Sequence, residues 1–71
     1  MTDTELLQDY IDRSGLKIKF IAEKVGLTPY GFSRKRDGLS EFTPSEIAVL
    51  CDVLHIETLE ERWAVFFCKG G

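Results

Sequence analysis

Residues 17–38 read KIKFIAEKVGLTPYGFSRKRDG, and this stretch leaves few folds open to the chain. Ile18, Ile21, Ala22 and Val25 recur at spacings of three and four, which is the period of one helical face. Gly26 stops the pattern, because glycine takes the positive φ that turns a chain out of a helix. Thr28 and Pro29 restart it. A threonine oxygen caps the first orphan N–H groups of a helix, and proline suits the first helical position. The second pattern runs to Lys35 or Arg36 and turns only Phe32 firmly inward, which leaves Tyr30, Ser33, Arg34 and Arg36 free to meet a partner. Ala22 is small enough for the two helices to cross closely. Two short helices about a glycine turn are a helix-turn-helix signature.

The flanking sequence reads as support for this unit. Thr2 with Glu5 has the form of a capping box for a first helix whose apolar face is Leu6, Leu7, Tyr10 and Ile11, ending near residue 14 at Gly15. Lys17 stands at the start of the second helix, where a lysine has no acceptor for the orphan N–H groups. Asp37 and Gly38 stop the third, and Phe42 in the following loop is expected to plug the core. Thr43-Pro44-Ser45-Glu46 combines a cap, a first-position proline and a third-position glutamate. It opens a fourth helix whose stripe Ile47, Leu50, Cys51 and Leu54 is expected to pack against helices one and three. Thr58 with Glu61 repeats the capping pattern for a fifth helix through Trp63 to about Phe66. The expectation is an all-α fold, a compact bundle of about five short helices. Residues 1–67 form the single domain, residues 17–38 its reading unit, and residues 68–71 a fraying tail.

A chain of 71 residues builds one core and does not divide into two. The two cysteines, Cys51 and Cys68, and the lone His55 are too few and too scattered for a zinc site, so Cys51 is expected to act as a small buried hydrophobe. No acidic pair, glycine-rich phosphate loop or nucleophile and base set is visible, and no enzyme, cofactor, metal or small-molecule substrate is expected. No apolar run is long enough for a membrane helix, and the acidic start, with Asp3 and Glu5, is unlike a signal peptide, so the expected location is the cytoplasm.

The formal net charge is −3, yet seven of the nine Lys and Arg residues lie between Arg13 and Arg36, with Glu23 as the one acid among them. The positive charge is therefore concentrated in the reading unit. A segregated charge of this kind suits either a phosphate surface or an acidic protein.

The stretch from Lys17 to Gly38, with the following DGLSEFTPSEIAVLCDVLHI and the ending Val65-Phe66-Phe67, resembles the helix-turn-helix of the Cro and phage-repressor superfamily, also called the XRE family. The resemblance covers roughly residues 3–67. It implies a fold of the repressor and Cro DNA-binding type, with the helix-turn-helix in helices two and three. It also implies a small phage or prophage regulator of a lytic and lysogenic switch that binds operator DNA. The alternative it implies is an antirepressor, a modulator of repression, that binds the lysogenic repressor through the same face and alters or blocks its DNA binding.

Under either alternative the contact residues are Lys17, Lys19, Thr28, Pro29, Tyr30, Ser33, Arg34, Lys35 and Arg36. Arg34 suits bidentate pairing with guanine, and Ser33 a base or a phosphate. Two departures weigh toward a protein partner: Ile18 stands where many members carry a phosphate-touching glutamine, and Pro29 and Gly31 where polar base contacts are usual. The expected partners are operator DNA, a repressor protein, or both. Trp63, Val65, Phe66 and Phe67 cannot all enter so small an interior, so Trp63, Phe66 and Phe67 are further candidates for self-association as a homodimer or for a partner contact.

Overall fold

Asp3, and not Thr2, opens the first helix. In the computed structural model, which describes residues 1–67, the Asp3 carboxylate accepts from Leu6 N–H at 3.0 Å, and α1 spans Thr4–Ser14. The expected cap moves by one residue because Asp3 N–H donates to Val65 C=O at 2.6 Å, which ties the N-terminus to the last helix and leaves Thr2 buried. The expected fraying of residues 68–71 and the Cys68 thiol lie outside the described residues.

Four more helices follow: α2 at Ile18–Val25, α3 at Pro29–Arg36, α4 at Pro44–Val53 and α5 at Leu59–Phe66. The described residues are all-helical, and their Cα radius of gyration, 10.9 Å, matches the value of about 11 Å for one domain of this length. Among them no helix is long and apolar enough to cross a membrane.

The core draws on every helix: Leu7 and Ile11 from α1, Ile21 and Ala22 from α2, Phe32 from α3, Leu50 and Cys51 from α4, and Val65 and Phe66 from α5. Phe42 plugs the loop as expected. Its ring lies 5.9 Å from both Phe32 and Phe66, tilted against the first and edge-on to the second, so it joins α3 to α5 through aromatic contacts.

Two packing expectations are corrected. The α4 stripe packs chiefly on α2, and less on α1 and α3 than its sequence suggested. Phe32 is the one buried residue that α3 offers, and it meets the Phe42 ring, whereas α2 offers the wholly buried Ile21 and Ala22. At α5, Thr58 does cap Glu61 N–H at 3.1 Å, but the Glu61 carboxylate does not return to complete a box. It accepts instead from Tyr10 O–H at 3.0 Å, across the junction of α1 and α5.

Candidate functional site

The turn between α2 and α3 is set by backbone chemistry. Gly26 takes φ +86°, Leu27 N–H bonds Ala22 C=O at 2.9 Å, and Gly26 N–H bonds Glu23 C=O at 3.1 Å. This is a Schellman closure, which satisfies the last carbonyls of α2 and lets the chain reverse. Thr28 Oγ1 then accepts from Gly31 N–H at 3.0 Å to start α3, with Pro29 at its first turn. Gly31 is tied to that cap: a β-carbon there would come within 3.2 Å of Thr28 Oγ1. The glycine thus has a local role beyond the roughly 1 kcal/mol it costs the helix relative to alanine.

Of the residues expected to meet a partner, Lys17, Lys19, Thr28, Pro29, Tyr30 and Arg34 are exposed, and Ser33 is half-buried. Tyr30 is 73% exposed. Tyr30 and Arg34 are four apart on α3 and so share one helical face. Lys17 opens α2 with extended backbone and no side-chain cap bond, as its chemistry requires.

The structure separates the run Arg34-Lys35-Arg36. Lys35 is drawn inward, with Nζ 2.6 Å from Glu46 Oε1 and only 18% of its side chain exposed. Arg36 turns to its neighbour, Nε donating to Asp37 Oδ1 at 3.1 Å. Arg34 makes no ion pair among the described residues. Glu46 is the centre of this arrangement: the oxygen that receives Lys35 also accepts from Thr43 N–H at 2.8 Å, while Thr43 Oγ1 accepts from Glu46 N–H at 3.2 Å. One carboxylate thereby closes the capping box of α4 and holds the last turn of α3. Burial pushes its pKa up, but the bonds from Lys35 and Thr43 outweigh that and hold it below the ordinary value.

Sequence reasoning missed several exposed apolar residues, among them Phe20, Leu39 and Leu59. Phe20 projects from α2 with Lys24 Nζ 5.4 Å from its ring centre, Leu39 follows the end of α3, and Leu59 starts α5. Phe20 falls off the stripe Ile18, Ile21, Ala22 and Val25, so the helical period already turns it outward, whereas Leu39 and Leu59 stand just past or at the end of a helix, where no period decides.

At the C-terminal end the aromatic residues divide. Val65 and Phe66 are buried, whereas Trp63 and Phe67 lie outside with ring centres 4.7 Å apart. Phe66, expected among the contact residues, belongs to the core, because one face of α5 must cover the Phe42 ring.

Two surface grooves flank these elements. One, of about 410 Å³, is lined by Glu5, Asp9, Asp12 and Asp37, and the other, of about 360 Å³, by Tyr10, Arg13, Leu16 and His55. Among the described residues no group of three or more His, Cys, Asp or Glu side chains converges as metal ligands would. No protein-family model, curated protein or solved structure matches the chain.

Proposed function

We propose that the chain is a small regulator of a phage lytic and lysogenic switch. In this proposal α2 and α3 form a helix-turn-helix of the Cro and repressor type, which docks on the lysogenic repressor protein and alters or blocks its hold on operator DNA. The partition of Arg34, Lys35 and Arg36 carries this choice of partner. Two of the three cations are engaged within the chain, by Glu46 and Asp37, and what α3 offers outward is Tyr30 beside Arg34. Tyrosine and arginine are the side chains enriched at the centres of protein interfaces. DNA affinity depends on the number of phosphates neutralised, and a helix that withdraws two cations is poorly equipped for that. Pro29 and Gly31 also leave the start of α3 without the side-chain amides that read adenine edges.

A second reading, direct binding of operator DNA, is favoured by the exposed Lys17 and Lys19 at the start of α2 and by Arg34. These could grip phosphates while Arg34 pairs with guanine.

The test is size exclusion of the chain mixed with the repressor encoded beside it, without DNA. Co-migration is expected, with Tyr30→Ala and Arg34→Ala each weakening the complex by roughly tenfold or more while the variants stay folded. Independent migration of the two proteins overturns the proposal.

A further inference from the structure

Of the seven cations between Arg13 and Arg36, three are held within the chain: Arg13 by Asp9, Lys35 by Glu46 and Arg36 by Asp37. Lys17, Lys19, Lys24 and Arg34 enter no ion pair among the described residues, and all but Arg34 belong to α2 or its cap. An exposed aromatic ring stands among them. Phe20 is 44% exposed and belongs neither to the buried core nor to the half-buried side chains packed on it, and Lys24 Nζ lies 5.4 Å from its ring centre. Lys17, Phe20 and Lys24 are spaced three and four apart, so they form one strip along α2 with an ammonium group at either end. Glu23, the one acid of α2, is about a quarter turn away, on the side of Lys19.

We infer that this strip is a docking site for an acidic segment of a partner protein. Carboxylates of the segment pair with Lys17 and Lys24, and an aliphatic or aromatic side chain between them covers the open face of Phe20. The site is separate from the Tyr30 and Arg34 contact on α3 and does not rest on it.

Charge and ring geometry decide the occupant. Ammonium groups with no carboxylate of their own set a local positive potential that draws acid. A cation over an aromatic ring gains strength when the pair is shielded from water, so a partner that covers Phe20 reinforces a contact the chain already makes. Single-stranded nucleic acid stacks its bases on free aromatic faces within a positive groove. Here Lys24 takes one face of the lone ring, and the net charge of −3 repels a long polyphosphate. Helices that lie on membranes carry a continuous apolar face, and this strip has a single apolar residue.

The probe is a fluorescein-labelled peptide with leucine and phenylalanine between two blocks of glutamate and aspartate, titrated with the full chain and followed by anisotropy. A saturable isotherm is expected, with a dissociation constant on the order of 10 to 100 micromolar, as suits a small, reversible contact. Phe20→Ser and Lys24→Gln are each expected to weaken it about fivefold or more, and serines in place of the two apolar peptide residues about tenfold. Tyr30→Ala, on α3, is expected to leave the affinity unchanged. Phe20→Ser keeps the circular dichroism and melting curve of the native chain, since Phe20 lies outside the core. No saturation below about 1 millimolar overturns the inference. So does equal binding of the serine peptide, or of the native chain and Phe20→Ser, because charge alone then accounts for the attraction. Tighter binding of an oligothymidylate that Phe20→Ser abolishes assigns the strip to nucleic acid instead, and a mass that rises with concentration only while Phe20 is present assigns it to a second copy; either result overturns the inference.

Discussion

Lys35 Nζ lies 2.6 Å from Glu46 Oε1, and the backbone N–H of Thr43 occupies the same oxygen at 2.8 Å. The end of α3 and the beginning of α4 therefore share one acceptor, and the direction in which α3 projects is coupled to the integrity of a helix cap.

Replacing Lys35 by Met removes the ion pair and leaves a half-buried carboxylate with one bond fewer. The expected cost is about 1 to 2 kcal/mol in urea unfolding, with the midpoint lowered and the slope unchanged. Lys35→Arg should retain most of it. A double-mutant cycle with Glu46→Gln isolates the pair, and a coupling under about 0.3 kcal/mol would class it with surface ion pairs that contribute little.

Acid should weaken the same junction. Glu46 is held below its ordinary value of 4.5, so the unfolded chain takes up a proton at this site more readily than the folded one. Its contribution is fully present above 4.5 and is lost as pH falls through the lower folded-state value. Unfolding measured along that descent should show a steeper loss for the native chain than for Glu46→Gln, and parallel curves would remove Glu46 from the acid response.

His55 ends α4 at φ +58°, the one positive φ outside glycine among the described residues. It sits where Gly26 and Gly38 sit in the two preceding closures, with Ile56 N–H bonded to Cys51 C=O at 2.8 Å. His55→Gly relieves the β-carbon clash of the left-handed conformation and should raise stability by about 1 kcal/mol, seen as a melting temperature higher by roughly 4 to 8 °C.

The helices themselves were legible from residues 17–38 outward, because each carries its own start and stop. Thr28 with Pro29, Thr43 with Pro44 and Glu46, and Gly15 and Gly26 act within a few residues of themselves, so local chemistry determines them. The first cap failed for a non-local reason: Val65, far along the chain, holds Asp3 N–H. The same distance effect hid the fate of Lys35, whose partner lies eleven residues on, and of Glu61, which the capping pattern assigned to its own helix and Tyr10 captured. Which aromatic side chains of α5 face out was also illegible, since the Phe42 ring decides it from another loop. At the candidate site, Tyr30 and Arg34 were readable as outward from the helical period. The withdrawal of Lys35 from their side was not.

Whether Tyr30 and Arg34 meet a protein is tested most directly by calorimetric titration of the chain into the neighbouring repressor and, separately, into duplex DNA from the switch region, at two salt concentrations. A saturable complex with the repressor is expected at micromolar concentration or below. Tyr30→Ala should lose it and Lys35→Arg should keep it, while DNA binding stays far weaker at both salts. Tight, sequence-specific binding to the duplex that falls steeply with salt, with no heat from the repressor, would contradict it.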